Sequence, residues 1–264
     1  MQKGIEKHIM HLKEGKITMI IRELNTHYIF IQQHHHGLLS GEMAFHWGKE
    51  NFLDPLYKLV LAAAFHDMSW IKADHHLLWN NAIDKPYDFV NYPLNKRIEL
   101  YTKGINEAET FNQYLALLTS MHYTSFFKSS ENEIVSSFLE QEHNRQIKLK
   151  RLHYEHNSDL LIALKHLKMW DDLSLYACLN EPGTEKSKEH TWFKNGINGV
   201  DKYGNHITIE CEWKNERTIS LKPFPFKNTW KTNIPYSLCR KSLGQDDPDK
   251  YSLSYFNVTF VPDL

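Results

Sequence analysis

The chain changes its apolar periodicity once, near Gly183, and that change limits what it can fold into. From Gln33 to about Leu179, apolar residues recur three and four positions apart, the spacing of one helical face. After Gly183 come the short β-branched and aromatic runs "HITIECEW", "RTISLKPF" and "SLSYFNVTFV", divided by Gly, Asn, Asp and Pro turns. The expectation is a mainly α fold, a helical bundle over residues 19–183 with a C-terminal antiparallel β appendage over 184–264 packed on it. Pro223 and Pro225 are expected on an edge, where the missing N–H costs no ladder bond. At 264 residues the chain can bury one substantial core or two modest ones.

Local signals divide the helical part. Asp54-Pro55 reads as cap and first turn of the helix carrying "LYKLVLAAAFHD". Ser130 with Glu133 reads as a capping box, Ser158 as the cap of the last long helix, and Glu181-Pro182-Gly183 as its end. Residues 1–18 lack a helical period, whereas strand-like "MIIREL" begins at Met19. Lys13-Glu14-Gly15 could be a translated ribosome-binding site, so the first 18 residues are expected to be a dispensable or non-native extension.

Charge and cysteine content exclude several classes of partner. With 31 basic and 32 acidic side chains, no global field recruits nucleic acid or an anionic membrane. The basic stretch "RQIKLKR", flanked by His143, His153 and His156, lacks interleaved aromatics and reads as an exposed helix face. No run approaches the roughly 20 apolar residues of a membrane helix. Cys178, Cys211 and Cys239 are odd in number and widely spaced, which suits a reducing compartment and predicts a cytoplasmic protein. A homo-oligomer is left open.

The 17 histidines outnumber the 11 glycines, and histidine is the commonest metal ligand among side chains. Position decides which of them matter. The seven apolar residues Leu59–Phe65 run directly into His66 and Asp67, and burying an ionised carboxylate beside an imidazole is costly unless something compensates it. A cation would do so. In "QHHHGLLSGEMAFHWG" three histidines point about 100° apart around a helix. Of these, His36 shares its face with Leu39, Met43 and Trp47. In "MWDDLSLYACL", Asp171 lies in line with Leu164, Leu167 and Leu175, whereas Asp172 follows Lys165 and Lys168 and reads as the solvated partner of an i,i+4 ion pair. His122 in "LLTSMHYTSFF" follows Phe111, Leu115 and Leu118. Lys72, Asp74, His75 and His76 read as a solvated loop.

This order of His, His-Asp and distant Asp on separate helices resembles the HD-domain superfamily of metal-dependent phosphohydrolases. The segments "HGLLSGEMAFHWG", "AAAFHDMSW", "DKPYDF", "SMHYTSFF" and "DDLSLYACL" look like an uncharacterised bacterial domain-of-unknown-function family related to HD proteins. The resemblance implies an all-helical, HD-domain-like bundle in which His36, His66, Asp67 and Asp171 bind a divalent metal. Mixed imidazole and carboxylate ligands suit manganese, iron, nickel, cobalt or zinc, as one ion or two. The implied activity is hydrolysis of a small-molecule phosphate ester, with a nucleotide among the candidates. Asp67 would sit at the reacting centre, and His122 would protonate the leaving group or hold a second metal. The alternatives are a di-iron oxygenase of HD type and a non-catalytic metal-binding or regulatory module.

Overall fold

The sheet starts at the opposite end of the chain from where the periodicity places it. In the computed structural model, which describes residues 19–74, 78–127, 132–153, 157–242 and 251–263, strands β1 (Met19–Glu23) and β2 (His27–Gln32) form an antiparallel hairpin. The extension over residues 1–18, together with His75, His76, Ser130 and His156, lies outside the described residues, as does the side chain of His153. β2 passes without a loop into α1 (Gln33–His46), followed by α2 (Tyr57–Phe65) and the short α3 (Ile71–Asp74). A two-residue ribbon, β3 (Trp79–Asn80) with β4 (Lys85–Pro86), precedes α4 (Leu94–Phe111), α5 (Gln113–Thr124), α6 (Glu133–His153) and α7 (Asn157–Leu179). Five strands follow: β5 (Ile197–Val200), β6 (His206–Asn215), β7 (Thr218–Lys222), β8 (Trp230–Arg240) and β9 (Tyr251–Pro262).

Seven strands form one sheet in the order β1-β2-β8-β9-β7-β6-β5. The expected mainly α fold with an antiparallel appendage is therefore corrected: the described residues are 48% helix and 26% strand, and the curled half-barrel sheet is a full layer. That sheet is mixed, because β9 runs antiparallel to β8 and parallel to β7. The physical reason for the difference is non-local pairing. His27–Phe30 hydrogen-bond to Ser237–Arg240 across some two hundred residues, and no local pattern encodes such a partner. Pro223 and Pro225 are not on an edge either. They follow the end of β7, which lies between β9 and β6, and the Pro225 carbonyl accepts the Gly48 and Lys49 N–H groups.

Helices and sheet share one apolar core, in which Ile20, Ile29 and Ile31 of the hairpin meet Leu39 and Met43 of α1, Leu167 and Trp170 of α7, and Ile219 and Phe260 of the sheet. The alternate residues of β2, Tyr28 and Phe30, pack on the other face with Cys239, beside Trp79 and Tyr251. Both faces of β2 are thus covered, as expected of a continuous apolar run. Two helix starts differ from expectation. Asn132 caps α6, its Oδ1 accepting the Ile134 and Val135 N–H groups, and Asp54 caps nothing but pairs with Lys227.

What places the two halves of the candidate site is the crossing of α1 on α2. A Cβ at Gly41 would lie 2.4 Å from Ala64 Cβ and 2.8 Å from its Cα, and one at Gly37 would lie 3.2 Å from the Ala64 carbonyl oxygen. The helices meet almost backbone to backbone. Gly41→Ala should therefore cost about 1–3 kcal/mol of stability through overpacking, read by urea denaturation. A change indistinguishable from zero would refute the close contact.

Candidate metal centre

The site is built from the start of α1, the ends of α2, α3 and α5, and the C-terminal half of α7. α1 begins with no side-chain cap of its own, and its first N–H groups instead find the buried Asp74, whose two carboxylate oxygens accept from Gln33 N (3.1 Å) and His34 N (3.0 Å). Asp74 is thus no part of a solvated loop. Burial raises its pKa, and the two N–H donors pull it back. Lys72 does face solvent and pairs with Glu107. One turn into α1, His36 is buried on the face shared with Leu39 and Met43, while His34 and His35 are half-buried.

α2 ends at His66. The last carbonyls of a helix lack intrahelical donors, and Ala63 O takes the His66 Nδ1–H at 2.7 Å. A carbonyl only accepts, so Nδ1 carries the hydrogen and a neutral His66 presents the lone pair of Nε2 inward. That Nε2 is buried with no hydrogen-bond partner and lies 3.4 Å from Asp171 Oδ1 and 3.8 Å from Asp67 Oδ2. His36 repeats the arrangement. Ser174 Oγ donates to the Asp171 carbonyl at 2.8 Å and so accepts from His36 Nδ1 at 2.7 Å, which leaves His36 Nε2 facing Asp67 Oδ2 at 2.9 Å and Asp171 Oδ1 at 3.6 Å.

Two imidazole lone pairs and two carboxylates therefore converge at a largely buried point. His122 completes the cluster, its Nε2 lying 3.4 Å from Asp171 Oδ2, and Tyr123 donates its hydroxyl to Asp67 Oδ1 at 3.2 Å. The structure thus brings together His36, His66, Asp67, Asp171 and His122, the candidates named from the sequence. The electrostatics show a demand for positive charge. Burial acts to lower the His66 pKa, but Asp67 and Asp171 outweigh it and push it up to about 9. Burial likewise acts to raise both carboxyl groups, yet the facing imidazoles hold Asp67 and Asp171 below the usual carboxylate range. His122, for which burial dominates, falls to about 4.

The donor set fits a transition-metal ion. Donors on one ion lie no farther apart than about 4.2 Å, twice a bond of roughly 2.1 Å. The Nε2–oxygen separations of 2.9, 3.4, 3.6 and 3.8 Å satisfy that limit. Two groupings are available, His36/His66/Asp67 and His66/His122/Asp171, and they share His66.

The cluster forms one wall of a cavity of about 410 Å³, lined elsewhere by Gln33, Trp70, Tyr101, Phe126, Phe127 and Trp192. Asp172 lines it too. It is not the solvated partner of Lys168, whose Nζ donates to Ser125 Oγ. Burial and the adjacent Asp171 push the Asp172 pKa up to about 7. Sequence reasoning also missed Ser174, Tyr123 and Asp74. Ser174 lies one turn beyond Asp171, so helical spacing could have suggested it. Tyr123 sits beside His122, which points about 100° away, so spacing gave no sign that both reach the site.

Fold and site together define a helix-and-sheet protein with a buried histidine–aspartate cluster on the wall of a cavity. The chain belongs to DUF3891, a family of proteins of unknown function, whose pattern matches residues 19–241. No curated protein and no solved structure matches it. Membership of the HD-domain superfamily is corrected accordingly: the family matched is DUF3891, and the architecture is not an all-helical bundle. No helix among the described residues is long and apolar enough to cross a membrane.

The raised His66 pKa has a consequence for the metal-free protein. Stability contributed by the protonated ring is fully present below its ordinary pKa of about 6.5 and is lost as pH rises through about 9. The urea midpoint of metal-free wild type should therefore fall between pH 6 and pH 9.5, and that of His66→Gln should fall less. Equal slopes in the two proteins would contradict the assignment.

Proposed function

We propose that the protein is a metal-dependent hydrolase of small phosphate esters, with His36, His66, Asp67 and Asp171 as the ligands of a divalent cation. The observation that carries this reading is the pair of Nδ1 contacts, from His66 to the Ala63 carbonyl and from His36 to Ser174. Together they commit both rings to turn Nε2 lone pairs toward two buried carboxylates. Without a cation, such an array costs several kcal/mol in desolvated charge. A divalent cation held there, be it manganese, iron, nickel, cobalt or zinc, lowers the pKa of a coordinated water and polarises a phosphoryl oxygen.

The chain's own residues supply the rest. Ser174 and the Ala63 carbonyl orient the imidazoles, as outer partners of metal-ligating histidines commonly do. Tyr123 takes one oxygen of Asp67, leaving Oδ2 as the inward donor. His122 lies 3.4 Å from Asp171 on the cavity lining and would either exchange a proton with the leaving group or share His66 and Asp171 with a second ion. The three cysteines are buried and form no disulfide with one another, in keeping with a reducing compartment such as the cytoplasm.

Metal analysis of protein purified without chelators tests this reading. Wild type should carry about one to two equivalents of a transition metal and hydrolyse a generic phosphomonoester or phosphodiester. His66→Ala and Asp67→Ala should lose the metal and at least 100-fold in rate while keeping the wild-type circular dichroism. Metal-free wild type, or full metal content in both variants, would refute the site.

Replacing Ser174 separates orientation from ligation. Ser174→Ala removes the acceptor of His36 Nδ1 and should weaken metal affinity about 10–100-fold without abolishing it, measured by competition with a chelating dye. Unchanged affinity would show that His36 does not depend on Ser174.

A further inference from the structure

The same cavity carries a cation that no carboxylate among the described residues neutralises. Arg97 lies in the first turn of α4 and is the one Lys or Arg side chain among the described residues that line the cavity. Its Nη1 donates to the Val90 carbonyl at 3.3 Å, and its guanidinium carbon stands 5.8 Å from the centre of the Phe127 ring. Its Nε is buried without a hydrogen-bond partner, and among the described residues no carboxylate lies within ion-pair reach of it. A second donor is also idle, because Gln33, 1% exposed and on the same cavity, has an Nε2 with no partner. Buried donors of this kind are normally satisfied, and those left over call for an acceptor from outside the chain.

Arg97 is well placed relative to the centre. Tyr101 follows it by one helical turn, about 6 Å along α4, and stacks on Tyr123 with ring centroids 3.8 Å apart. Tyr123 in turn holds Asp67. The path from guanidinium to histidine–aspartate cluster is therefore paved by two aromatic rings. The cavity volume of about 410 Å³ is toward the lower end for small-molecule sites, enough for one compact ligand.

We propose that Arg97 is the anion-binding residue of this cavity, taking phosphoryl oxygens through its unpaired N–H groups, with the Gln33 amide as an auxiliary donor. The substrate class that follows is a small phosphorylated compound with a flat or apolar body that lies along Tyr101 and Phe127. Guanidinium suits this task because its planar fork matches a phosphate where a lysine offers only a point charge. This inference rests on the hydrolase reading for the identity of the anion, but its test does not require turnover.

Inorganic phosphate serves as the probe, titrated calorimetrically into manganese-equilibrated wild type, Arg97→Gln, Arg97→Lys and Gln33→Leu, with metal content measured on each sample. Wild type should bind phosphate. Arg97→Gln should bind it at least 10-fold more weakly, Arg97→Lys should fall between the two, and Gln33→Leu should show a smaller loss, all with unchanged metal content. A phosphate-induced rise in melting temperature, present in wild type and absent in Arg97→Gln, would show that the loss is of binding and not of fold. Equal phosphate affinity in wild type and Arg97→Gln, or no phosphate binding by wild type, overturns the proposal. Absence of manganese with Arg97-dependent phosphate binding intact would instead defeat the hydrolase reading and leave this one standing.

Discussion

Everything at the site depends on how closely α1 and α2 approach. Gly37 and Gly41 present bare backbone to Ala64, and this contact brings a histidine from one helix against a histidine–aspartate pair at the end of the other. A side chain at Gly41 would push the helices apart, and with them the side chains that meet at the site. The apolar run Leu59–Phe65 has a corresponding role. It anchors α2 in the shared core so that its frayed end, where a carbonyl is left over, falls at the bottom of the cavity.

Much of the centre could be read from the sequence because helical phase is a local property. His36 separates from His34 and His35, and Asp171 from Asp172, by which neighbours lie three and four residues away. His36 and Asp171 do meet, together with His66, Asp67 and His122. The same reasoning misjudged Asp172, since a lysine one turn earlier made an exposed ion pair look adequate. It also misjudged Asp74, whose partners are the N–H groups of a helix forty residues upstream. Architecture was less legible for one reason. The hairpin at residues 19–32 pairs with β8, and such a partner is chosen by tertiary packing of two apolar faces, not by anything near it in the chain. Without that pairing, the C-terminal strands looked like an appendage and the whole looked helical.

The chemistry of the cavity is asymmetric. One wall gathers carboxylates and imidazoles under low exposure, and the other offers aromatic rings and a guanidinium. A small anion entering this space would meet complementary charge at both ends only if the first wall also held a cation. Under the proposed function, positive charge for that anion would come from a cation held by the carboxylates and imidazoles and from Arg97.

The seamless passage from β2 into α1 has one more consequence. His27–Phe30 are held in ladder register with β8, and Gln33 opens the helix directly after Gln32. His36 is therefore indexed to the sheet through a rigid joint with no slack. One residue inserted at that joint would turn the ring about 100° around the helix, away from Asp67. Length variation in relatives of this chain should accordingly be confined to connections such as residues 47–56, where the backbone can absorb it. The junction at residues 32–33 should keep its length even where the side chains around it change.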